Sequence, residues 1–246
     1  MSSTEAGRRD GRQLRWDKHN RARRRVILDA AIAVLEDSEP GEDIHVQQIA
    51  ARAGLSRTVV YRHFTDRADL DQAVQAAILE MLAGELLPEV TLAGTIEEII
   101  QRIVGTYVRW TVDHPSLHRF AEHDVPGAAG SSALEVAVIQ IAARVEELIT
   151  VGAEQLGAPL SDDDAAALDP LVFGLVGAVF GATRRWLSRP ERRPEPEAFV
   201  ELTSDSVWHI IDGHARRLGM ELDPHVSVER LFAQSSDQST DPEPAT

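Results

Sequence analysis

From Val26 onward the chain alternates apolar and polar positions with the period of a helix. Val26, Ile27, Ala30, Ala31, Val34 and Leu35 recur at intervals that gather them on one helical face. Arginines lead this run, and Asn20 stands where an N-cap would. The stretch "SEPGED" interrupts the pattern, and Asp43 is the expected cap of a short second helix whose inner face carries Val46, Ile49, Ala50 and Ala53. Gly54 ends that helix, because glycine enters the left-handed backbone region without steric cost. Leu55 then returns to the core, and Ser56 caps a third helix predicted to reach His63.

Asp66 caps a longer helix, "RADLDQAVQAAILEMLAGELL", which stops at Pro88. Further helices are predicted at about 95–113, 116–124, 131–156, 163–188 and 196–217, separated by Pro- and Gly-bearing breaks. No segment alternates with period two for long enough to make a sheet, so the fold class is all-α. From Asp223 the composition is polar, acidic and Pro-bearing, which predicts a disordered acidic tail over 223–246.

Composition changes this picture in two places. The 246 residues include no cysteine, which excludes disulfide frameworks, thiolate zinc sites and cysteine nucleophiles. The N-terminus is Arg-rich without an apolar signal region, and the longest uncharged apolar stretch, Pro170 to Thr183, falls short of the ~20 residues that span a bilayer. A cytoplasmic chain with no membrane partner is therefore expected.

The second change concerns charge. A net charge of −15, spread evenly, would repel a polyanion. Instead residues 1–70 hold 13 Lys plus Arg against 11 Asp plus Glu, and the remainder 12 against 29. Residues 1–17 lack apolar periodicity and read as a flexible Arg-rich arm. The chain is basic at one end and acidic elsewhere.

Two short helices joined by a Gly turn, behind a basic helix, form the helix-turn-helix arrangement, whose second helix enters the major groove of DNA. The residue types fit that role. Arg57 and Arg62 suit base edges or phosphates, Ser56 and Thr58 suit phosphate, Tyr61 presents a hydroxyl, and His63 adds a donor near neutral pH. Arg21, Arg23, Arg24 and Arg25, on the first helix, are expected on phosphate. A helical hairpin buried in a bundle explains Gly54 and Leu55 equally well, but not the polar residues crowded behind the turn.

The segment from Val26 to Leu70 resembles the tetracycline-repressor (TetR/AcrR) family of transcriptional regulators. The resemblance is carried by Ile49-Ala50, Ala53-Gly54-Leu55-Ser56, Tyr61-Arg62-His63-Phe64 and Leu70. Two places depart from the family pattern. Thr58-Val59-Val60 stands where Gly-Thr-Leu is frequent, and Arg67 where a lysine is usual. Arg67 keeps the charge a phosphate needs, whereas Val59 offers only apolar contact, for instance with a thymine methyl. Val46, opening the second helix, completes the expected DNA-contacting set.

The resemblance implies a homodimer with an N-terminal three-helix helix-turn-helix DNA-binding domain, over 18–70, plus a C-terminal helical ligand-binding and dimerisation domain, over 71–222. It implies a repressor that binds a palindromic double-stranded DNA operator and responds to a small-molecule inducer. On the helices that line the pocket in relatives fall Tyr107, Trp110, His114 and His118, then Phe120, Phe173, Phe180 and Trp186. Independently of the family, Gly174, Gly177 and Gly181 make a small-residue stripe that lets another helix approach closely. His118 and Glu122, near His114 and His123, form no recognisable ligand motif, so no metal and no cofactor are expected. No catalytic carboxylate pair, phosphate loop or nucleophile elbow is present, which argues against an enzyme. The rival reading is an architectural DNA-binding protein that relies on the Arg arm and has no inducer.

Overall fold

The computed structural model describes residues 3–123, 125 and 132–238, with side chains from 18 to 234. Ten α-helices account for it. They are α1 (Ser3–Glu36), α2 (Val46–Arg52), α3 (Arg57–Val60), α4 (Arg67–Leu86), α5 (Ile96–Asp113), α6 (Pro115–Ala121), α7 (Ala133–Gln155), α8 (Asp162–Leu187), α9 (Pro196–Arg217) and α10 (Val228–Gln238). Among the described residues there is no β-strand, only an isolated antiparallel bridge between Thr95 and Ser227.

The predicted helix starts are set by local chemistry. Asp66 Oδ1 accepts from the Asp69 amide at 2.8 Å, and Ser161 Oγ accepts from the Asp164 amide at 3.2 Å. Thr95 and Glu98 close a reciprocal capping box, each side chain accepting from the other's amide at 3.1 and 2.9 Å. The α2 start differs from expectation: His45, not Asp43, is its N-cap, and the Gln48 side chain accepts from the His45 amide.

Four other differences matter. α1 begins at Ser3 and takes in the segment expected as an arm, so Asn20 sits inside a helix and caps nothing. α3 is helical only over Arg57–Val60, after which the Arg62 and His63 amides bond three residues back, to Val59 and Val60. The β-branched pair Val59-Val60 is a poor continuation for an α-helix. The expected acidic tail contains α10. Val228, Leu231 and Phe232 supply its apolar face, the Val228 amide donates to Gly94 at 2.9 Å, and the Glu97 amide donates to Pro224 at 3.2 Å. Residues 239–246 lie outside the described residues. Finally, α8 is by length and composition able to cross a bilayer, because its apolar run continues past the uncharged stretch that suggested otherwise.

The chain divides into two compact units, Met1–Glu80 with His114–Leu134 and Met81–Asp113 with Glu135–Thr246. The first packs α2 and α6 on α1 and α3 on α2, around Ile27, Ile49, Val60, Phe64, Leu70 and Leu117, all at most 1% exposed. Burying each such side chain contributes roughly 1.5–3 kcal/mol. The second unit pairs α5 with α9 around Ile100, Val104, Val108, Trp186 and Val207. There the Trp186 ring stacks on Phe199 at 4.8 Å between centroids, and its indole N–H donates to the Pro194 carbonyl at 2.9 Å.

Candidate nucleic-acid interface and ligand cavity

The turn between α2 and α3 is built on Gly54, whose φ of 65° is left-handed. Its amide donates to Ala51 at 3.1 Å and the Leu55 amide donates to Ala50 at 2.8 Å, the paired bonds of a Schellman motif. This satisfies the last carbonyls of α2 and turns the chain sharply into α3. Ser56 occupies the N-cap position with extended backbone, but its hydroxyl does not close onto the helix. Ser56, Arg57, Thr58 and Arg62 are exposed, and Val59, Tyr61 and His63 are half-buried.

Positive charge is distributed unequally over this unit. Arg25 pairs with Asp29 at 3.0 Å, Arg52 with Asp37 at 2.7 Å, and Arg67 with Asp71 at 2.7 Å. Arg67 also donates to the Ile44 carbonyl at 2.8 Å, so it fastens the entry of α2 to the first turn of α4. Arg57 and Arg62 have no acidic partner among the described residues; Arg57 instead lies 5.5 Å from the Tyr61 ring centroid. Two uncompensated cations thus sit on the face that follows the turn, where an anion can reach them, and Arg21 and Arg23 on α1 likewise have no acidic partner among the described residues.

Three of the expected DNA contacts are used differently. Val46 is 6% exposed and packs inward, because the first position of α2 faces α1. Arg24 donates to the His63 carbonyl and lies 4.2 Å from the Phe64 ring centroid, fastening α1 to the end of the α3 segment. The His63 ring is the third. Its Nδ1 lies 2.6 Å from Asn20 Oδ1, an oxygen that only accepts, so Nδ1 carries the proton. Burial, and then the charges of Arg23, Arg24 and His19, hold the His63 pKa below its ordinary 6.5. This imidazole is a neutral structural donor at pH 7 rather than a cation for phosphate.

The second unit holds a half-open cavity of about 400 Å³, within the range of small-molecule sites. Tyr107 on α5 and Phe180 on α8 line it, stacked at 4.3 Å between centroids and 25° between planes. The other expected ligand contacts lie elsewhere. Trp110 is 2% exposed and off the lining, and Phe173 is 40% exposed on the outer face of α8. His114, His118 and Phe120 belong to the other unit. There His114 approaches Glu36 at 3.1 Å, His118 approaches Glu122 at 3.7 Å, and Gln75 Nε2 donates to the Phe120 carbonyl at 3.0 Å. Aromatic and histidine content is a poor guide here, because the cavity walls are aliphatic: Ile103, Ile141, Leu148 and Val176 are typical. His214 and Arg217 also line it, unforeseen from the sequence. Among the described residues no group of three or more His, Asp or Glu side chains is placed to hold a metal ion.

The family model described as bacterial regulatory proteins, tetR family, matches residues 27–74. An uncharacterised HTH-type transcriptional regulator of Mycobacterium tuberculosis (strain ATCC 25618 / H37Rv) is 27% identical over 208 residues, 83% of this chain and 83% of its own. The HTH-type transcriptional repressor LfrR of Mycolicibacterium smegmatis is 31% identical over 81 residues, 33% of this chain and 41% of its own. A solved tetR-family transcriptional regulator from Streptomyces coelicolor shares the fold, with a TM-score of 0.58 at 19% identity over 87% of this chain and 89% of that one.

Proposed function

We infer that this chain, which belongs to the TetR family of bacterial regulatory proteins and is a DNA-binding transcriptional regulator, acts as a ligand-responsive repressor on a palindromic operator, bound as a homodimer. The observation that carries this reading is the division of labour among its arginines. Arg25, Arg52 and Arg67 are neutralised by acids, whereas Arg57 and Arg62 stay uncompensated on the exposed side of the Gly54 turn, beside Ser56, Thr58 and Tyr61. In a duplex, Arg57 reads a base edge and Tyr61 and Arg62 hold phosphate.

Dimerisation places two such helices in successive major grooves about 34 Å apart. The α8 face supports it. Phe173 is 40% exposed, and Cβ atoms added at Gly174, Gly177 or Gly181 would meet nothing within 4 Å. Leu202, 59% exposed on α9, adds apolar surface. Glycines lining an open apolar face are what a symmetric helix pair needs to approach closely, and a second copy of this chain accounts for α8 without a membrane. Repression is the sign the relative LfrR carries in its name. A ligand in the cavity relieves it by binding more tightly to a conformation in which the two helices no longer match the groove spacing.

The experiment is retrieval of genomic fragments by the purified protein, followed by mobility shift at graded salt. A single palindromic sequence bound at one dimer per site supports the reading. Salt-steep binding without sequence preference would instead favour the architectural role.

A further inference from the structure

We propose that the cavity of the second unit receives one aliphatic acyl chain whose carbonyl or carboxylate oxygen accepts from His214 and Arg217. The inference rests on the ligand-responsive reading above and specifies what that ligand is. The walls come first. Ile103, Ile141, Val145, Leu148 and Val176 are branched and aliphatic, a surface that follows a flexible chain. Of the three aromatic rings in the lining, Tyr107, Phe180 and Phe232, the first two are stacked on one another at 4.3 Å, so the faces they share offer no slot for a planar ring. At roughly 30 Å³ per methylene-sized group, the share of one water in the liquid, 400 Å³ accommodates a chain of about a dozen carbons.

The polar part of the lining is small. Apart from the Tyr107 hydroxyl it consists of Asp164, His214 and Arg217. Asp164 accepts from the Ser161 hydroxyl, and Asp212 takes up the neighbouring Arg216 at 2.8 Å. Arg217 is left exposed without an acidic partner among the described residues, and His214 stands three residues before it, on the same side of the last turn of α9. These two side chains supply donors and need an acceptor. Asp164 and the carbonyl end of α9 oppose a large anion there, so the head is a single acyl oxygen group, as free acid or as ester, rather than a polyphosphate.

The test uses the full chain in equilibrium dialysis. The probes are hexanoate, decanoate and dodecanoate, methyl dodecanoate, and naphthalene-2-carboxylate as a planar acid of the same charge. Affinity is expected to rise about three- to fourfold per added methylene, with the planar acid weaker than dodecanoate. Arg217→Ala, at an exposed site that folding does not depend on, is expected to weaken dodecanoate about tenfold. Leu148→Trp, which narrows the cavity, should weaken dodecanoate more than hexanoate. The free acid binding better than the ester, or the reverse, identifies the source of the acyl group and supports the site in either case. Affinity that is flat with chain length, a planar acid that binds as well, or an unaltered Arg217→Ala variant overturns the proposal. Dodecanoate that binds yet leaves operator retention unchanged defeats ligand-responsive repression while the acyl site stands. Operator release by another small molecule, with no acyl binding, does the opposite.

Discussion

The Arg24 guanidinium lies 4.2 Å from the centroid of the Phe64 ring while donating to the carbonyl of His63. One side chain of α1 therefore holds both the buried anchor and the last turn of the segment that carries Arg57, Tyr61 and Arg62. A cation over an aromatic face, together with a charge-assisted hydrogen bond at a half-buried site, contributes roughly 1–3 kcal/mol. Arg24→Ala is expected to lower unfolding stability by about that amount in urea titration, whereas Arg25→Ala, whose partner Asp29 is exposed, should change it by less than about 0.5 kcal/mol. Equal effects of the two substitutions would remove the special role given to Arg24.

His63 makes the same joint sensitive to acid. Its folded pKa lies below the unfolded 6.5, through burial first and then through Arg23, Arg24 and His19. Near that pH the unfolded chain binds more protons than the folded one, so stability rises with pH. The contribution is complete above 6.5 and is lost as the pH falls toward the folded value. Melting temperatures measured from about pH 7.5 down to about pH 5.5 should fall more steeply for the wild type than for His63→Gln, which keeps a donor and cannot charge. Parallel profiles would show that another group governs the acid limb.

The particular residues explain how far the sequence is legible. α4 to α9 are bounded by Pro88, Pro115, Gly157 and Pro196 or by capping side chains such as Asp66 and Ser161, all local features that a linear pattern exposes. The Gly54 turn is legible for the same reason. The Asn20–His63 bond spans 43 residues and the Arg24–His63 bond 39, so nothing nearby in the chain distinguishes Arg24 from Arg25. Val46 follows the apolar period of α2 into the core, which the expectation of a DNA contact overlooked. α10 was masked by the polar residues after it, although Val228, Leu231 and Phe232 already have helical spacing. The cavity is the hardest case. Its aliphatic lining has the periodicity of ordinary core, and only the absence of a packing partner, a three-dimensional fact, makes it a site.

The DNA-facing residues can be tested separately from the joint that supports them. Arg57→Ala should weaken operator binding by roughly 1–3 kcal/mol and relax preference at the base it reads. Tyr61→Ala should weaken binding more uniformly across sequences, as loss of a phosphate contact does. Arg57 is exposed and Tyr61 is only half-buried, so helical circular dichroism and dimer mass should be unchanged. Wild-type affinity in both variants would mean that another surface reads the operator.

Residues 1–17 contribute Arg8, Arg9, Arg12 and Arg15 ahead of the helix-turn-helix, and from Ser3 they continue α1. Each arginine that rests on a phosphate steepens the plot of log affinity against log salt by about 0.9. Deleting residues 1–17 is expected to flatten that plot without changing which sequence is preferred. A slope identical to that of the full chain assigns the segment to solvent.

Gly177 offers the sharpest test of dimerisation, because its replacement has opposite consequences inside and between subunits. A Cβ there meets no neighbour within 4 Å, so the first side-chain atom of Gly177→Leu has room within the subunit, and the variant should gain about 0.5–1 kcal/mol of helix propensity. A two-fold pairing of α8 across this stripe, in contrast, has no room for a leucine from each side. The expected variant is a well-folded monomer by sedimentation, with helical content retained and operator affinity lost, since one recognition helix cannot match two half-sites. A stable dimer in this variant, still bound to its operator, would place the interface on another face of the second unit and leave the α8 glycines without a role in assembly.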